Sequence, residues 1–276
     1  MSCYCVGRRF IRRHRMLYAL VRVVKYGPFM GVRDQRARRR LLSRAWLQGW
    51  KLLYLGSGGR YQAGMVNLDL TPITGPDVVG NGYCLPFPDG TFDAVFCDYV
   101  IEHVGDPESF LAAASRVLKP EGIFYLEIPF LQPQHGGASD FTRWSRRGFI
   151  EVATRAGLAV EESGVHLGPA FTLFWILKEW IALAISFGIR PLSLSLNYLL
   201  SWVLSPLLLL DLAMLRMPGS EQLAAGFYVL ASPLHSLDVE KAAADNTATA
   251  SDAQLQGCGK PDSASALELD TALPHS

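Results

Sequence analysis

Residues 51–70 read KLLYLGSGGRYQAGMVNLDL, two short apolar runs on either side of a glycine-rich turn. Lys51 to Leu55 has the length of a buried parallel strand, in which both faces are covered and alternation is lost. It ends in Gly56-Ser57-Gly58-Gly59, where the missing Cβ atoms let the backbone turn sharply and approach a ligand closely. Met65 to Leu70 is the second run and carries Asp69 at its carboxyl end. In an open α/β sheet this sets a carboxylate beside the glycine turn, across the crevice where ligands bind. A carboxylate there accepts both hydroxyls of a ribose, so a nucleoside-containing cofactor is the first expectation.

Glycine spacing narrows the cofactor. A dinucleotide fingerprint needs G-x-G-x-x-G, and counting from Gly56 and Gly58 the third place is Tyr61. The turn also lacks the Lys-Ser/Thr pair of a phosphate-binding loop. A glycine turn without a diphosphate signature suits a cofactor with ribose and adenine but no pyrophosphate, and S-adenosylmethionine fits.

Further motifs follow in order. They are Asn81-Gly82-Tyr83-Cys84-Leu85-Pro86-Phe87, Phe92-Asp93-Ala94-Val95, Glu102-His103-Val104 and Arg116-Val117-Leu118-Lys119-Pro120-Glu121-Gly122. With Leu55 to Gly59 and Asp69 they resemble the class I S-adenosylmethionine-dependent methyltransferases, type 11 group, over about Lys51 to Val165. The resemblance implies a Rossmann-like α/β fold with a seven-strand, mostly parallel sheet. It implies that Gly56, Ser57 and Gly58 pass under the methionine part of the cofactor, that Asp69 with Leu70 meets the ribose, and that Asn81 with Gly82 reads the adenine. Asp98 and Tyr99, at the end of the fourth strand, join this cofactor set. Asn81 stands where the family usually has Asp; its amide oxygen still accepts from an adenine amine. Only Arg60 to Gly64 separate the glycine turn from the second strand, so the usual helix there is very short.

Downstream, residues 129–149 read PFLQPQHGGASDFTRWSRRGF and follow the fifth strand, beside the expected methyl donor. The segment resembles one found in family members suspected of modifying glycans or lipid-linked sugars. His135 is the candidate general base on a hydroxyl, because imidazole titrates near neutral pH. Asp140 is the candidate orienter of that imidazole, and Arg143 and Trp144 are candidate substrate contacts. The competing reading makes Asp140 and Arg143 a salt bridge that pins the loop, with Trp144 as its apolar plug. His103 packs near the cofactor and is a further candidate substrate contact.

Charge is nearly balanced over 276 residues, yet residues 1–44 hold thirteen Lys or Arg against the single acid Asp34. Residues 8–25 place Phe10, Leu17, Leu20, Val21 and Val24 at helical spacing with arginines opposite, a membrane-surface pattern. The alternatives are a solvated helix packed on the domain or an RNA-binding arm. Two apolar runs, Phe171 to Ile189 and Pro191 to Leu215, approach the roughly 20 residues that cross a bilayer. Lys178-Glu179, Pro206 and Asp211 interrupt them and argue against independent spans. Joined at Gly188 to Pro191 and followed by a last strand at Gly226 to Ala231, they read as an apolar helical hairpin inserted before the last strand.

The expected organisation is a basic amphipathic extension at 1–45, a methyltransferase domain at 46–234 with a hydrophobic insertion at 168–220, and a disordered tail at 235–276. Cysteine spacing offers neither a disulfide framework nor a metal set, which suits a reducing cytoplasm. The functional expectation is S-adenosylmethionine-dependent O-methylation of a lipid-linked sugar or other amphipathic acceptor by a cytoplasmic, membrane-associated enzyme. Its rivals are a quinone-type C-methyltransferase and an inactive cofactor-binding scaffold of a membrane enzyme complex. Nucleic acid is the least favoured partner, because the paired apolar runs argue against an RNA enzyme.

Overall fold

The computed structural model describes residues 28–29, 32–58, 60–72, 75–135 and 139–234. The basic helix expected at 8–25 and the tail expected at 235–276 lie outside these residues. The chain begins with helix α1 (Arg36–Leu47) and strands β1 (Leu52–Leu55), β2 (Val66–Asp69), β3 (Val78–Val79) and β4 (Phe92–Asp98). A short 3-10 turn (Ile101–His103), α2 (Pro107–Val117), β5 (Leu118–Pro129), α3 (Arg146–Arg155) and β6 (Leu158–Leu167) follow. Then come α4 (Pro169–Ser186), α5 (Arg190–Leu204), a 3-10 stretch (Ser205–Leu210), the single turn α6 (Asp211–Met214) and β7 (Gly226–Pro233).

The seven strands form one sheet in the order β3-β2-β1-β4-β5-β7-β6. β1 to β5 pair in parallel, while β7 runs antiparallel to both β5 and β6. Alternation along the buried strands splits the core between two faces. Leu53, Leu55, Val95, Cys97, Phe124 and Leu126 pack against α2 and α3. Leu52, Tyr54, Ala94, Phe96 and Tyr125 face the other way, onto Ala37, Leu41 and Ala45 of α1. Those three lie at i, i+4 and i+8, one helical stripe. Residues 36–45, assigned by composition to an extension, are thus part of the core of the sheet domain. The arginine-rich spelling of α1, RARRRLLSRAWL, hid a buried stripe behind exposed charge.

Between β1 and β2 no helix occurs among the described residues. The buried Asn67 side chain organises this crossing instead. Its Oδ1 accepts from Gln62 N at 2.7 Å, and its Nδ2 donates to the Gln62 and Met65 carbonyls at 2.9 Å each. A side-chain amide thereby supplies partners that helix backbone provides elsewhere.

The insertion leaves the end of β6 and returns to the start of β7, with Leu167 paired to Gly226 and Gly226 to Pro129 of β5. It therefore rises from the carboxyl edge of the sheet. Its turn uses left-handed backbone at Phe187 and Gly188, φ 48° and 80°. Asp211, which in the sequence looks like an interruption of the second run, is fully buried and reaches back to α4. Its carboxylate accepts from Ala170 N at 2.9 Å and Phe171 N at 3.0 Å, capping α4 from across the insert. Lys178 is likewise turned inward and buried, paired with Glu179 at 3.1 Å. The outer face is left apolar: Trp180 is 65% and Leu183 64% exposed.

Candidate active site

The glycine turn sits at the carboxyl end of β1, and Gly56 N and Ser57 N both donate to Leu68 O, at 2.9 and 3.1 Å. Gly56 and Gly58 have φ of 71° and 52°, the left-handed region where a side chain is strained. A Cβ at Gly56 would meet Val100 at 2.4 Å, whereas one at Gly58 would meet no atom within 4 Å. The turn is thus packed below and open above. Asp69, at the end of β2, closes the side: its Oδ2 accepts from Gly58 N at 2.6 Å and its Oδ1 from Thr71 N at 3.0 Å. Leu70 beside it is 74% exposed, an apolar shelf at the sheet edge.

Asn81 follows β3, with its Oδ1 accepting from Tyr83 N at 3.0 Å. At Gly82 a Cβ would overlap the Phe110 ring at 2.3 Å, so packing against α2 requires glycine there. Asp98 and Tyr99 do not line the glycine turn with their side chains; Val100 makes that contact. Asp98 instead points to the α1 face, and Tyr99, at φ 55°, is half-buried beside the Phe171 cluster.

Two residues beyond Val100, Glu102 is fully buried and neither of its carboxylate oxygens has a hydrogen-bond partner among the described residues. Nε2 of His103 lies 3.9 Å and Nε2 of His135 3.8 Å from its Oε1. The two imidazoles meet edge to face with centroids 5.6 Å apart. Interaction with Glu102 raises the His135 pKa above its ordinary value, against the opposing effect of burial. The ligand atoms of Glu102, His103 and His135 lie within 4.8 Å of one another, a spacing from which a metal ion can be bound. Sequence reasoning passed over Glu102; the signal was an acid beside a histidine inside the otherwise apolar run YVIEHV.

Asp140 does not orient the His135 ring. Its Oδ2 accepts from the His135 backbone N at 2.7 Å and from Arg143 Nη2 at 2.7 Å, and its Oδ1 accepts from Arg143 Nη1. Arg143 holds the Asp140 carboxyl far below its ordinary value. Arg143 also donates to the Gln132 and Pro133 carbonyls at 3.1 and 2.9 Å. Trp144 is buried against Phe149, with its backbone N on Pro129 O at 2.9 Å. The pinning arrangement is therefore the one formed. Asp140, Arg143 and Trp144 hold the loop that delivers His135, whose ring lies 5.3 Å from that of Trp175 on α4.

Residues 60–126 match the type 11 family model, described as a methyltransferase domain. Over these residues the chain is similar to the methyltransferase domain of that family. The chain is 30% identical over 111 residues to a 2-phytyl-1,4-naphtoquinone methyltransferase of Trichormus variabilis, covering 40% of this chain and 48% of that protein. It is 47% identical over 56 residues to the ubiquinone/menaquinone biosynthesis C-methyltransferase UbiE of Francisella tularensis, covering 20% and 22%. The chain thus spans less than half the length of these curated relatives. A solved methyltransferase from Aquifex aeolicus aligns at TM-score 0.40 with 16% identity, over 56% of this chain and 92% of that one. The 1,6-didemethyltoxoflavin-N1-methyltransferase of Burkholderia thailandensis aligns at 0.42 with 11% identity, over 83% and 88%.

The glycine turn has the features that the S-adenosylmethionine expected from the sequence would need. The backbone is open above Gly58, an acid stands beside it for the ribose, and Leu70 offers an apolar shelf. On the α1 face of the same edge lies a second acid cluster that sequence reasoning missed. Arg38 Nη1 donates to both Asp98 oxygens at 2.6 and 2.7 Å and lies 3.4 Å from Glu127, with its guanidinium 5.3 Å from the Phe96 and Tyr125 ring centres. The hydroxyls of Tyr54 and Tyr125 donate to Asp98 and Glu127 at 2.8 and 3.1 Å. His166, fully buried, lies 3.2 Å from Glu127. Burial alone would raise Glu127, but His166 and Arg38 hold it to about 2; burial and the neighbouring Glu127 push Asp98 up.

Proposed function

We propose that the protein methylates an oxygen of an amphipathic acceptor, of the build of a lipid-linked sugar, at a cytoplasmic membrane surface. The observation that carries this reading is the continuity of polar cluster and apolar hairpin. His135 adjoins Trp175, and Trp175 packs on Phe171 at 5.9 Å. An acceptor with its polar end at Glu102, His103 and His135 would find the insertion along its apolar part. The inward turn of Lys178 and Asp211 supports the membrane half of the reading, since two of the three charges that count against embedding lie on the buried side and the third, Glu179, is paired with Lys178. The outer apolar face would then rest in one leaflet, with burial worth about 25 cal/mol per Å².

Ring methylation of a lipid quinone is the second reading, and the activities for which the two curated relatives are named favour it. Both acceptors are amphipathic, and they differ in the atom that receives the methyl group. The test is transfer of labelled methyl from S-adenosylmethionine to membrane lipid extracts, with wild type and Asp69→Ala compared. Asp69→Ala is expected to weaken cofactor binding by about tenfold to a hundredfold, as loss of a charged hydrogen-bonding group does. Mass spectrometry of the product distinguishes an ether or ester methyl from a ring methyl. Cofactor binding with no transfer to any extract would sink both readings in favour of an inactive scaffold.

A further inference from the structure

We propose that Glu102, His103 and His135 form a three-ligand site for a divalent first-row transition-metal ion, with room in its coordination shell for an oxygen of the acceptor. The chemical consequence rests on the methyl-transfer reading above; the binding itself does not.

A buried carboxylate is paired or coordinates a metal, because unpaired burial of charge is costly. Among the described residues Glu102 has no hydrogen-bond partner at either oxygen. Both imidazoles approach its Oε1 through Nε2, at 3.9 and 3.8 Å, beyond hydrogen-bonding distance. What the rings do with their other nitrogen decides the matter. Nδ1 of His103 lies 2.8 Å from the Ser139 carbonyl, and Nδ1 of His135 lies 3.1 Å from the Pro133 carbonyl. Arg143 Nη2 also lies 3.1 Å from His135 Nδ1, but it donates to the Pro133 carbonyl and to Asp140.

We assign the proton to the nitrogen set against a carbonyl, a choice that is simplest for His103 and that for His135 competes with Arg143 Nη2; in this tautomer each Nε2 directs a lone pair toward the carboxylate. In that tautomer two imidazole lone pairs and a carboxylate converge, and either a proton shared with Glu102 or a bound metal cation stabilises such a cluster; we take the metal, and the proton is the competing outcome. Histidines that ligate metals show this arrangement, with the distal N–H fixed by a carbonyl or carboxylate.

Two bonds of about 2.1 Å at a tetrahedral angle separate their ligand atoms by about 3.4 Å. The cluster's atoms span 4.8 Å at most, so small rotations of the partly exposed imidazoles close the site. Two nitrogens and one carboxylate favour zinc, cobalt, iron or manganese over magnesium or calcium. Three protein ligands leave a position open, the hallmark of reactive rather than structural sites.

An acceptor hydroxyl bound there becomes more acidic, as metal-bound water does. Its proton passes to solvent, and an oxygen lone pair forms the new O–C bond at the donor methyl. The C–S bond breaks with its electron pair returning to sulfur, so the sulfonium leaves as a neutral thioether. His135 in this scheme is a ligand, and the expectation that it acts as a free base is the competing outcome.

The experiment uses the full chain, stripped with a chelator and titrated calorimetrically with zinc, then with cobalt(II) followed by visible absorption. One equivalent per chain is expected, with ligand-field bands from cobalt bound to nitrogen and oxygen. Glu102→Gln, His103→Asn and His135→Asn should each weaken zinc binding at least about tenfold. S-adenosylmethionine binding within twofold of wild type shows that a variant has kept its fold. Absence of stoichiometric zinc binding by folded wild type would overturn the proposal, as would equal binding by all three variants. Zinc bound as expected with no S-adenosylmethionine bound would uphold the metal site while removing the methyl-transfer reading.

Discussion

Two groups of buried acids stand at the carboxyl edge of one sheet, and they are met in opposite ways. On the α1 face, Asp98 and Glu127 are answered by Arg38, by two tyrosine hydroxyls and by His166. At the hairpin side, Glu102 faces two imidazole nitrogens at 3.8–3.9 Å and accepts no hydrogen bond among the described residues. The first cluster holds a guanidinium among its acids and ties a helix to the sheet. The second has no guanidinium bonded to its acid among the described residues, and under the proposed function it lies where an acceptor enters. Equal burial of carboxylates therefore conceals different roles, and partners, rather than burial, separate a structural acid from one kept for a ligand.

The comparison breaks most visibly at Arg38. Arg38→Met leaves Asp98 and Glu127 buried without their cation and should cost about 3–5 kcal/mol in urea unfolding. A loss below about 1 kcal/mol would mean that the α1 cluster is no more balanced than the other. An intermediate effect is expected on the hairpin. Trp180→Ser with Leu183→Ser should weaken binding to anionic lipid vesicles by about 1.5–3 kcal/mol per side chain. The same pair should leave urea stability within about 0.5 kcal/mol of wild type, since both side chains are exposed. Vesicle binding that survives both substitutions would remove the hairpin from the membrane reading.

The smallest effect belongs to Glu102. In chelator-stripped protein, Glu102→Gln should leave stability unchanged or raise it by about 1 kcal/mol, because it relieves an unpaired buried charge. A loss comparable to that of Arg38→Met would make Glu102 a structural partner and erase the contrast.

The cofactor end was legible because its parts are local. Gly56, Gly58 and Asp69 lie within fourteen residues, and period and turn chemistry place them at adjacent strand ends. The hairpin was legible for the same reason, as two apolar runs around a glycine turn. The roles of Asp140 and Arg143 were open between catalysis and pinning, and only the loop's path after β5 brought Asp140 onto the His135 backbone instead of its ring. The membership of α1 in the core was hidden, since its stripe is short and spelled among arginines.

Sequence alone determined the first two strands and the glycine turn with its acid, because these follow from runs, periods and spacings read along a few neighbouring residues. It also determined that an apolar insertion precedes the last strand. Tertiary structure alone decided which charges meet: Arg38 with Asp98 across 60 residues, Asp211 with the start of α4 across 41, and Glu102 with His135 across 33. Electrostatic partnership depends on distances of a few ångströms and on what excludes water around them. Those distances are set by how the sheet, the hairpin and α1 pack, which no local stretch of sequence contains.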